Sequence, residues 1–312
     1  MKQLDLLVVT NAITDQVYRI NTEFLASLAL RRGSEHRAAL RSQIEEKLKD
    51  IPKTYESPAG SPANVGFSAA ALGARVGLVG SLGGDHLATK YREMLSKYAV
   101  ADHTQLSTTH PSGVCYTLIT EDGERTFLNL MNAAPHFDLD KAPIAARIIH
   151  TSCYEIVGKE KEFISYLQRA KKAGAKISLD LADPHTCHKI GNGQTMRAIL
   201  DLTDFLFASP EEYAAAVGEE FDSFSEHPYN NQVVCLKLGK RGSRVLAEGI
   251  DLPIPIVPTT VINTNGAGDG YAAGFLFAYL ENQDLTICGM YGSSVASQIV
   301  GQIAASLPLN QK

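Results

Sequence analysis

The segment Asn263-Thr264-Asn265-Gly266-Ala267-Gly268-Asp269-Gly270 gathers glycines, amides and a carboxylate into one short stretch. Glycines let a backbone approach a ligand closely, and a helix N-terminus leaves N–H groups without acceptors. Apolar residues follow at helical spacing (Ala272, Phe275, Leu276, Tyr279, Leu280), and an extended apolar stretch over 254–262 precedes. The pattern predicts a strand feeding a glycine turn that opens a helix, with Gly266, Ala267 and Gly268 offering N–H groups as an anion hole. Asp269 would then stand in the first helical turn beside the anion. A carboxylate repels a phosphoryl group, so it is a poor phosphate ligand but a suitable base for a nearby hydroxyl. Its other reading is a helix cap that favours the dipole. A dinucleotide fingerprint fits less well, because Tyr271 stands where G-x-G-x-x-G needs its last glycine.

Other reactive residue types carry less. Asp183, His185, Cys187 and His188 crowd one segment, but their spacing matches no tetrahedral motif and no second ligand pair follows. They read as a strand-end loop. The cysteines at 115, 153, 187, 235 and 288 form no C-x-x-C pair, which fits a reducing, cytoplasmic location.

Positioning these groups requires a scaffold. Strand-like apolar runs recur at 6–9, 76–79, 114–119, 147–150, 177–181, 205–208, 233–236 and 244–247, with helical patterns at 64–72, 86–96, 161–172 and 211–217. Such alternation predicts an α/β fold whose mostly parallel sheet is covered on both faces. Segments 16–19, 55–58, 113–120 and 125–130 break the rhythm, and Asp122-Gly123 is a hairpin signal. They predict a small antiparallel sheet that serves as a lid over a cleft. The stretch 34–51 reads as charged, helix-prone and solvated. The chain has 312 residues, 29 Lys+Arg against 34 Asp+Glu, a formal charge of -5 and 45% apolar residues. That balance excludes disorder and argues against nucleic acid as a partner. No apolar run reaches the roughly 18 residues that span a bilayer, so no membrane is expected. The first apolar run, interrupted by Asp5, reads as a buried strand rather than a signal peptide.

A resemblance covers essentially the whole chain. Residues 263–269 with Gly270-Tyr271-Ala272-Ala273-Gly274-Phe275-Leu276 resemble the C-terminal signature of the ribokinase-like (PfkB) carbohydrate kinases. Ala59-Gly60-Ser61-Pro62-Ala63-Asn64, with Val79-Gly80-Ser81-Leu82-Gly83-Gly84-Asp85, resembles the family's N-terminal block. Asn11-Ala12-Ile13-Thr14-Asp15, Pro111-Ser112-Gly113-Val114-Cys115 and Cys288…Gly292…Ala296 look most like the adenosine-kinase branch. The resemblance implies one ribokinase-like three-layer α/β/α domain over 1–312, with a β lid from excursions at about 12–22, 52–60 and 110–132. The implied reaction moves the ATP γ-phosphoryl to a CH₂OH group of an adenosine-like nucleoside. A sugar of ribose or fructose type, or a catalytically weak nucleoside or nucleotide sensor, is the alternative.

Residue by residue, the resemblance makes Asp269 the base, Gly266, Ala267 and Gly268 the anion hole, and Arg125 a lid arginine for the transferred phosphate. It gives Asn11, Asp15, Gly60, Ser61 and Asn64 to the acceptor, and Gly239, Gly242, Asn265 and Gly292 to the nucleotide. Glu212 would meet Mg²⁺ through water. The chain would act as a monomer or homodimer. Four departures stand out. Asn263 replaces an aspartate that helps hold a monovalent cation, which should weaken K⁺ binding. Ser209 replaces the Asn of Asn-x-x-Glu, and Ala59 replaces the first glycine of a pair. Near Ser152-Cys153-Tyr154 the glutamate that ribokinase-type sites use on the sugar is lacking.

Overall fold

Side-chain alternation along the first strand sets the architecture. In β1 (Leu4–Val9), Leu6 and Val8 enter one apolar core while Leu7 and Val9 enter another. A strand buried on both faces needs a layer of helices on each side. The computed structural model, which describes residues 3–37, 41–190, 193–218, 232–247 and 249–309, supplies both layers.

The large sheet has nine strands. Running outward from β1 on one side are β5 (Val76–Leu82) and β6 (Ala101–Leu106). On the other side come β9 (Ala146–Ser152), β10 (Lys176–Asp180), β11 (Phe205–Ala208) and β12 (Val233–Lys237), each parallel to the strand before it in the sheet. Two antiparallel strands, β13 (Ser243–Ala247) and β14 (Ile250–Ile254), finish that edge. Helices Ser61–Leu72, His86–Lys97, Ala267–Leu280 and Leu285–Val300 pack about the core that holds Leu6 and Val8. Helices Glu160–Lys172, Gln194–Leu200 and Pro210–Val217 cover the opposite core. This is the ribokinase-like α/β fold.

A separate five-stranded sheet has the order β3-β8-β7-β2-β4. Its strands are β2 (Ile13–Arg19), β3 (Glu35–Arg37), β4 (Lys53–Ala59), β7 (Gly113–Ile119) and β8 (Arg125–Leu130). Asp122-Gly123 makes the β7–β8 hairpin, with Gly123 at φ 85° and Ile119 paired to Arg125. One face of this sheet buries Tyr18, Val114, Tyr116, Leu118, Leu128 and Leu130 against Leu25, Leu28 and Leu48. The other face carries Asp15, Val17 and Arg19, and it looks toward the large sheet's helices across a cavity.

Four sequence expectations change. The small sheet, expected to be antiparallel, is mixed: β2 runs parallel to β7 and β3 to β8, because long crossovers rather than hairpins join those strands. The stretch 34–51 is helical only over Arg41–Leu48, and Glu35–Arg37 is the edge strand β3; residues 38–40 lie outside the described residues. Leu48 is buried, so this segment is no fully solvated face. The strand expected over 254–262 ends at Ile254. Pro255 and Pro258 lack N–H groups for a ladder, and the chain runs to the glycine turn as an exposed loop.

The packed outer face of the small sheet can be checked directly. Leu118→Ala should lower unfolding stability by about 2–5 kcal/mol, read from urea midpoints. A loss below about 0.5 kcal/mol, the level of a surface change, would mean that the face is not packed.

Candidate active site

Asp269 stands in the first turn of the Ala267–Leu280 helix. Its carboxylate makes no cap on its own helix. Oδ1 accepts from Ser61 Oγ at 2.8 Å, and Oδ2 accepts from Asn64 Nδ2 at 2.8 Å. Both donors come from the Ser61–Leu72 helix, so two helix N-termini meet at one carboxylate. Gly60 begins that second helix at φ 125°. A Cβ there would lie 2.6 Å from both Asn11 O and Thr10 Oγ1, so only glycine lets the turn approach β1. Burial pushes the Asp269 carboxyl up to about 6, with Asn64 and Ser61 pulling it back and Asp180 adding repulsion.

Neither helix N-terminus carries a side-chain cap. Gly266, at φ 77°, turns the chain into the Ala267–Leu280 helix, and a Cβ on it would meet Ala305 O at 2.6 Å. Of the expected donors, the Ala267 N–H already reaches Thr264 O at 3.3 Å. The N–H groups of Gly266, Gly268 and Asp269 have no acceptor among the described residues. Asp269 thus takes the place of Ala267 among the N–H groups open to an anion, and the dipole of an uncapped helix favours one there.

Two cavities flank the Asp269–Asn64 pair, Asp269 lining the larger and Asn64 the smaller. The smaller, of about 290 Å³, lies under the small sheet and is lined by Asp15, Arg19, Tyr55, Asn64, Arg125 and Asn265, among others. Asp15 is half-buried, and no described residue donates to its carboxylate. Burial and the charge of Asp269 push it up to about 7. The larger cavity, of about 710 Å³, is lined by Asp269, Gly266–Gly268, Ser61, Asp180, Glu212, Lys237, Gly239 and Gly242. Exposed Ile256, Val257 and Val261 form an apolar wall there. Gly242 is required by contact, since a Cβ would lie 2.1 Å from Ile254 O.

Lys237, at the end of β12, was not foreseen. Its Nζ donates to Asp180 Oδ1 at 3.0 Å and Oδ2 at 2.8 Å, and Glu212 Oε2 is 3.8 Å away. Burial alone would lower its pKa, but Asp180 and Glu212 hold the ammonium well above the ordinary lysine value. Ser209 and Glu212 form a reciprocal capping box at the Pro210–Val217 helix, which accounts for serine at that position. Burial raises the Glu212 carboxyl. Asp180 and Glu212 supply hard oxygens, yet both Asp180 oxygens face Lys237 and one Glu212 oxygen accepts from Ser209 N–H. This set fits a hydrated Mg²⁺ met through water rather than ligated directly.

Asn263 differs from the sequence expectation in an instructive way. Its Nδ2 donates to Ile303 O at 2.8 Å, while Oδ1 accepts from Arg125 Nη1 at 2.8 Å and Asn265 N at 3.0 Å. The oxygens that a monovalent cation would need are turned to N–H donors, and a guanidinium stands beside them. The residues present do not fit such a cation.

Of the residues expected at the acceptor and the phosphate, Asn64, Asp15 and Arg125 line the smaller cavity and Ser61 the larger; others lie elsewhere. Asn11 turns its Nδ2 to Tyr154 O at 3.1 Å and does not line the smaller cavity. Asn265 lies on the acceptor side, its Oδ1 3.3 Å from Arg125 Nη1. Gly292 lines neither cavity; a Cβ there would lie 2.8 Å from Tyr271 O, so it serves helix packing. The sequence reading also missed Glu155. It is buried, accepts from Asn11 N at 3.0 Å and from the Ser152 hydroxyl, and burial pushes it up to about 7. The spacing Ser152-x-x-Glu155 was its legible signal. Asp183 caps the Pro184–Ile190 helix through the N–H groups of His185 and Thr186. Among the described residues no cluster of His, Cys, Asp and Glu is arranged to hold a metal ion.

The chain is similar to known proteins in sequence and in fold. The profile of the pfkB family carbohydrate kinases matches residues 36–312. A nucleoside kinase of Methanothermobacter thermautotrophicus is 28% identical over 247 residues, covering 77% of this chain and 77% of its own. A 5-dehydro-2-deoxygluconokinase of Lacticaseibacillus casei is 25% identical over 289 residues, covering 85% and 86%. The crystal structure of adenosine kinase from Sinorhizobium meliloti superposes with a TM-score of 0.84 at 24% identity, over 99% of this chain and 97% of that one.

The raised carboxyls have a consequence for stability. Asp15 and Asp269 bind protons more tightly folded than unfolded, where the value is near 3.8. The stability they contribute is full below about pH 4 and is lost as pH rises through about 6–7. Asp15→Asn should therefore raise the melting temperature of the ligand-free protein at pH 8, by about 1–3 °C, and by less at pH 4. An equal shift at both pH values would contradict the assigned pKa.

Proposed function

The chain belongs to the pfkB family of carbohydrate kinases, and on that footing we propose that it transfers the γ-phosphoryl group of ATP to the CH₂OH of a nucleoside or sugar. One observation carries this reading: Asp269 lines the larger cavity beside a helix end whose N–H groups lack acceptors among the described residues, and its hydrogen-bonded partner Asn64 lines the smaller cavity. The acceptor lies under the small sheet, with vicinal hydroxyls donating to Asp15, which no described residue satisfies. The triphosphate lies in the larger cavity, its apolar wall of Ile256, Val257 and Val261 taking the base.

In the reaction, Asp269 accepts the proton of the CH₂OH group as the oxygen attacks phosphorus. A pKa of about 6 leaves it ionised at neutral pH yet basic enough to take a proton. The N–H groups of Gly266, Gly268 and Asp269 stabilise the charge on the transferring group, and Arg125 reaches it from the small sheet. Mg²⁺, when bound, supplies charge neutralisation for the phosphates; Asp180 and Glu212 would hold its waters. The small sheet acts as a lid that excludes water around this centre. The relatives named above support a CH₂OH acceptor of either class, nucleoside or sugar acid. A monovalent cation has no part in this reading.

The test is ATP turnover over a panel of nucleosides and sugars. Asp269→Asn should lower kcat by about 10²–10⁴-fold with little change in the KM for ATP. Undiminished turnover in that variant would remove the base assignment. The wild-type rate should rise from pH 5 to pH 8 as Asp269 and Asp15 ionise.

A further inference from the structure

The larger cavity holds a cation that the reaction, as proposed, leaves idle. Lys237 ends β12 and Asp180 ends β10, so both stand at the carboxyl edge of parallel strands, where ligands enter such sheets. The Lys237 side chain is 20% exposed and lines this cavity. An ammonium carries three N–H donors. Its Nζ donates to Asp180 Oδ1 at 3.0 Å and Oδ2 at 2.8 Å, while Glu212 Oε2, at 3.8 Å, is too far for a hydrogen bond. At least one donor is left without an acceptor among the described residues.

The glycine turn shows what this donor stands beside. A Cβ on Gly268 would lie 3.3 Å from Lys237 Nζ and 3.6 Å from its Cδ. Gly268 sits inside the Ala267–Leu280 helix without a positive φ, so its backbone does not call for glycine. The close approach of Lys237 does. Asp180 therefore holds the ammonium against a helix end whose Gly268 N–H is open to an anion. Arg125 lines the smaller cavity and Lys237 the larger, so the two cations stand on opposite sides of the proposed transfer. A phosphoryl group that moves to an acceptor under the small sheet leaves its donor on the Lys237 side.

We propose that Lys237 is a catalytic residue that donates a hydrogen bond to the β-phosphate of the nucleotide. The proposal rests on the phosphotransfer reading above. In the step, the acceptor oxygen forms its bond to the γ-phosphorus and its proton passes to Asp269. The electron pair of the breaking P–O bond stays on the β-phosphate oxygen of ADP. Negative charge gathers there, and a positioned ammonium stabilises it without giving up a proton. Arg125 accompanies the phosphoryl group, and Lys237 stays with the leaving group.

The experiment measures calorimetric binding of ADP and AMP with divalent metal removed by EDTA. Lys237→Met alone would leave the Asp180 carboxylate buried and unpaired. The comparison is therefore between Asp180→Asn and the double variant Asp180→Asn/Lys237→Met. The double variant should bind ADP at least tenfold more weakly than Asp180→Asn. It should bind AMP, which has no β-phosphate, within twofold. Equal ADP binding by the two variants would mean that Lys237 only neutralises Asp180. An equal loss for ADP and AMP would mean that it only supports the fold. Either result overturns the proposal. In turnover, Lys237→Met should lower kcat by about 10²–10³-fold at an unchanged acceptor KM, and an unchanged kcat would also overturn it. Absence of wild-type turnover on every acceptor would remove the phosphotransfer reading instead, and the ADP comparison would still decide on Lys237.

Discussion

The arrangement around Asp269 turns on one constraint: a carboxylate enclosed by two helix ends and buried surroundings must have both its oxygens satisfied. Ser61 and Asn64 meet that constraint by donating one hydrogen bond to each oxygen of Asp269. The bonds fix the carboxylate in the wall of the larger cavity and offset part of the burial that would otherwise protonate it. Much else follows from this pair. The Ser61–Leu72 and Ala267–Leu280 helices must pack with their N-termini together. Gly60 must allow the turn to touch β1, and Gly292 must allow the last helix close to Tyr271. Both helices also leave their first N–H groups uncapped, which a folded protein tolerates where a ligand or water supplies the acceptor.

Charge is arranged around this carboxylate in alternation. Lys237 is bonded to Asp180 and lies near Glu212, so the larger cavity is not a simple cationic funnel for a polyanion. In the proposed reaction backbone N–H groups carry the anion recognition, and the chain's formal charge of -5 is compatible with that. The lid side reverses the pattern, with Arg125 tied to Asn263 and Asn265 above the same glycine turn. Asn263 joins β8, the glycine turn and the Ile303 carbonyl through neutral hydrogen bonds. An aspartate there would lose the amide donor to Ile303 and place its charge on Arg125.

What the sequence disclosed follows from how local each determinant is. The glycine turn, the hairpin at Asp122-Gly123 and the alternation of strands with helices are local patterns, and each appears where it was expected. The partners of Asp269 come from residues 61 and 64, two hundred positions away, and only the resemblance to a family drew them into one site. Lys237 escaped notice because a lysine at a strand end has no distinguishing neighbours; its role comes from Asp180 and Glu212 on adjacent elements. Glu155 was overlooked although it directly follows Ser152-Cys153-Tyr154, where a glutamate was held to be lacking; its contact with Asn11, 144 positions away, shows only in the fold. The loop after Ile254 misled because its apolar residues face a cavity rather than a sheet, and the prolines that forbid a strand were outweighed by hydrophobicity.

The central claim is that Asp269 is the base and that Asn64 holds its pKa low enough for that task. The most direct measurement is the pH dependence of kcat for wild type and Asn64→Ala. With the donor removed, burial is opposed less, so the acid limb should move upward from about 6 and the rate at neutral pH should fall. An acid limb that stays in place, with turnover undiminished, would contradict the account.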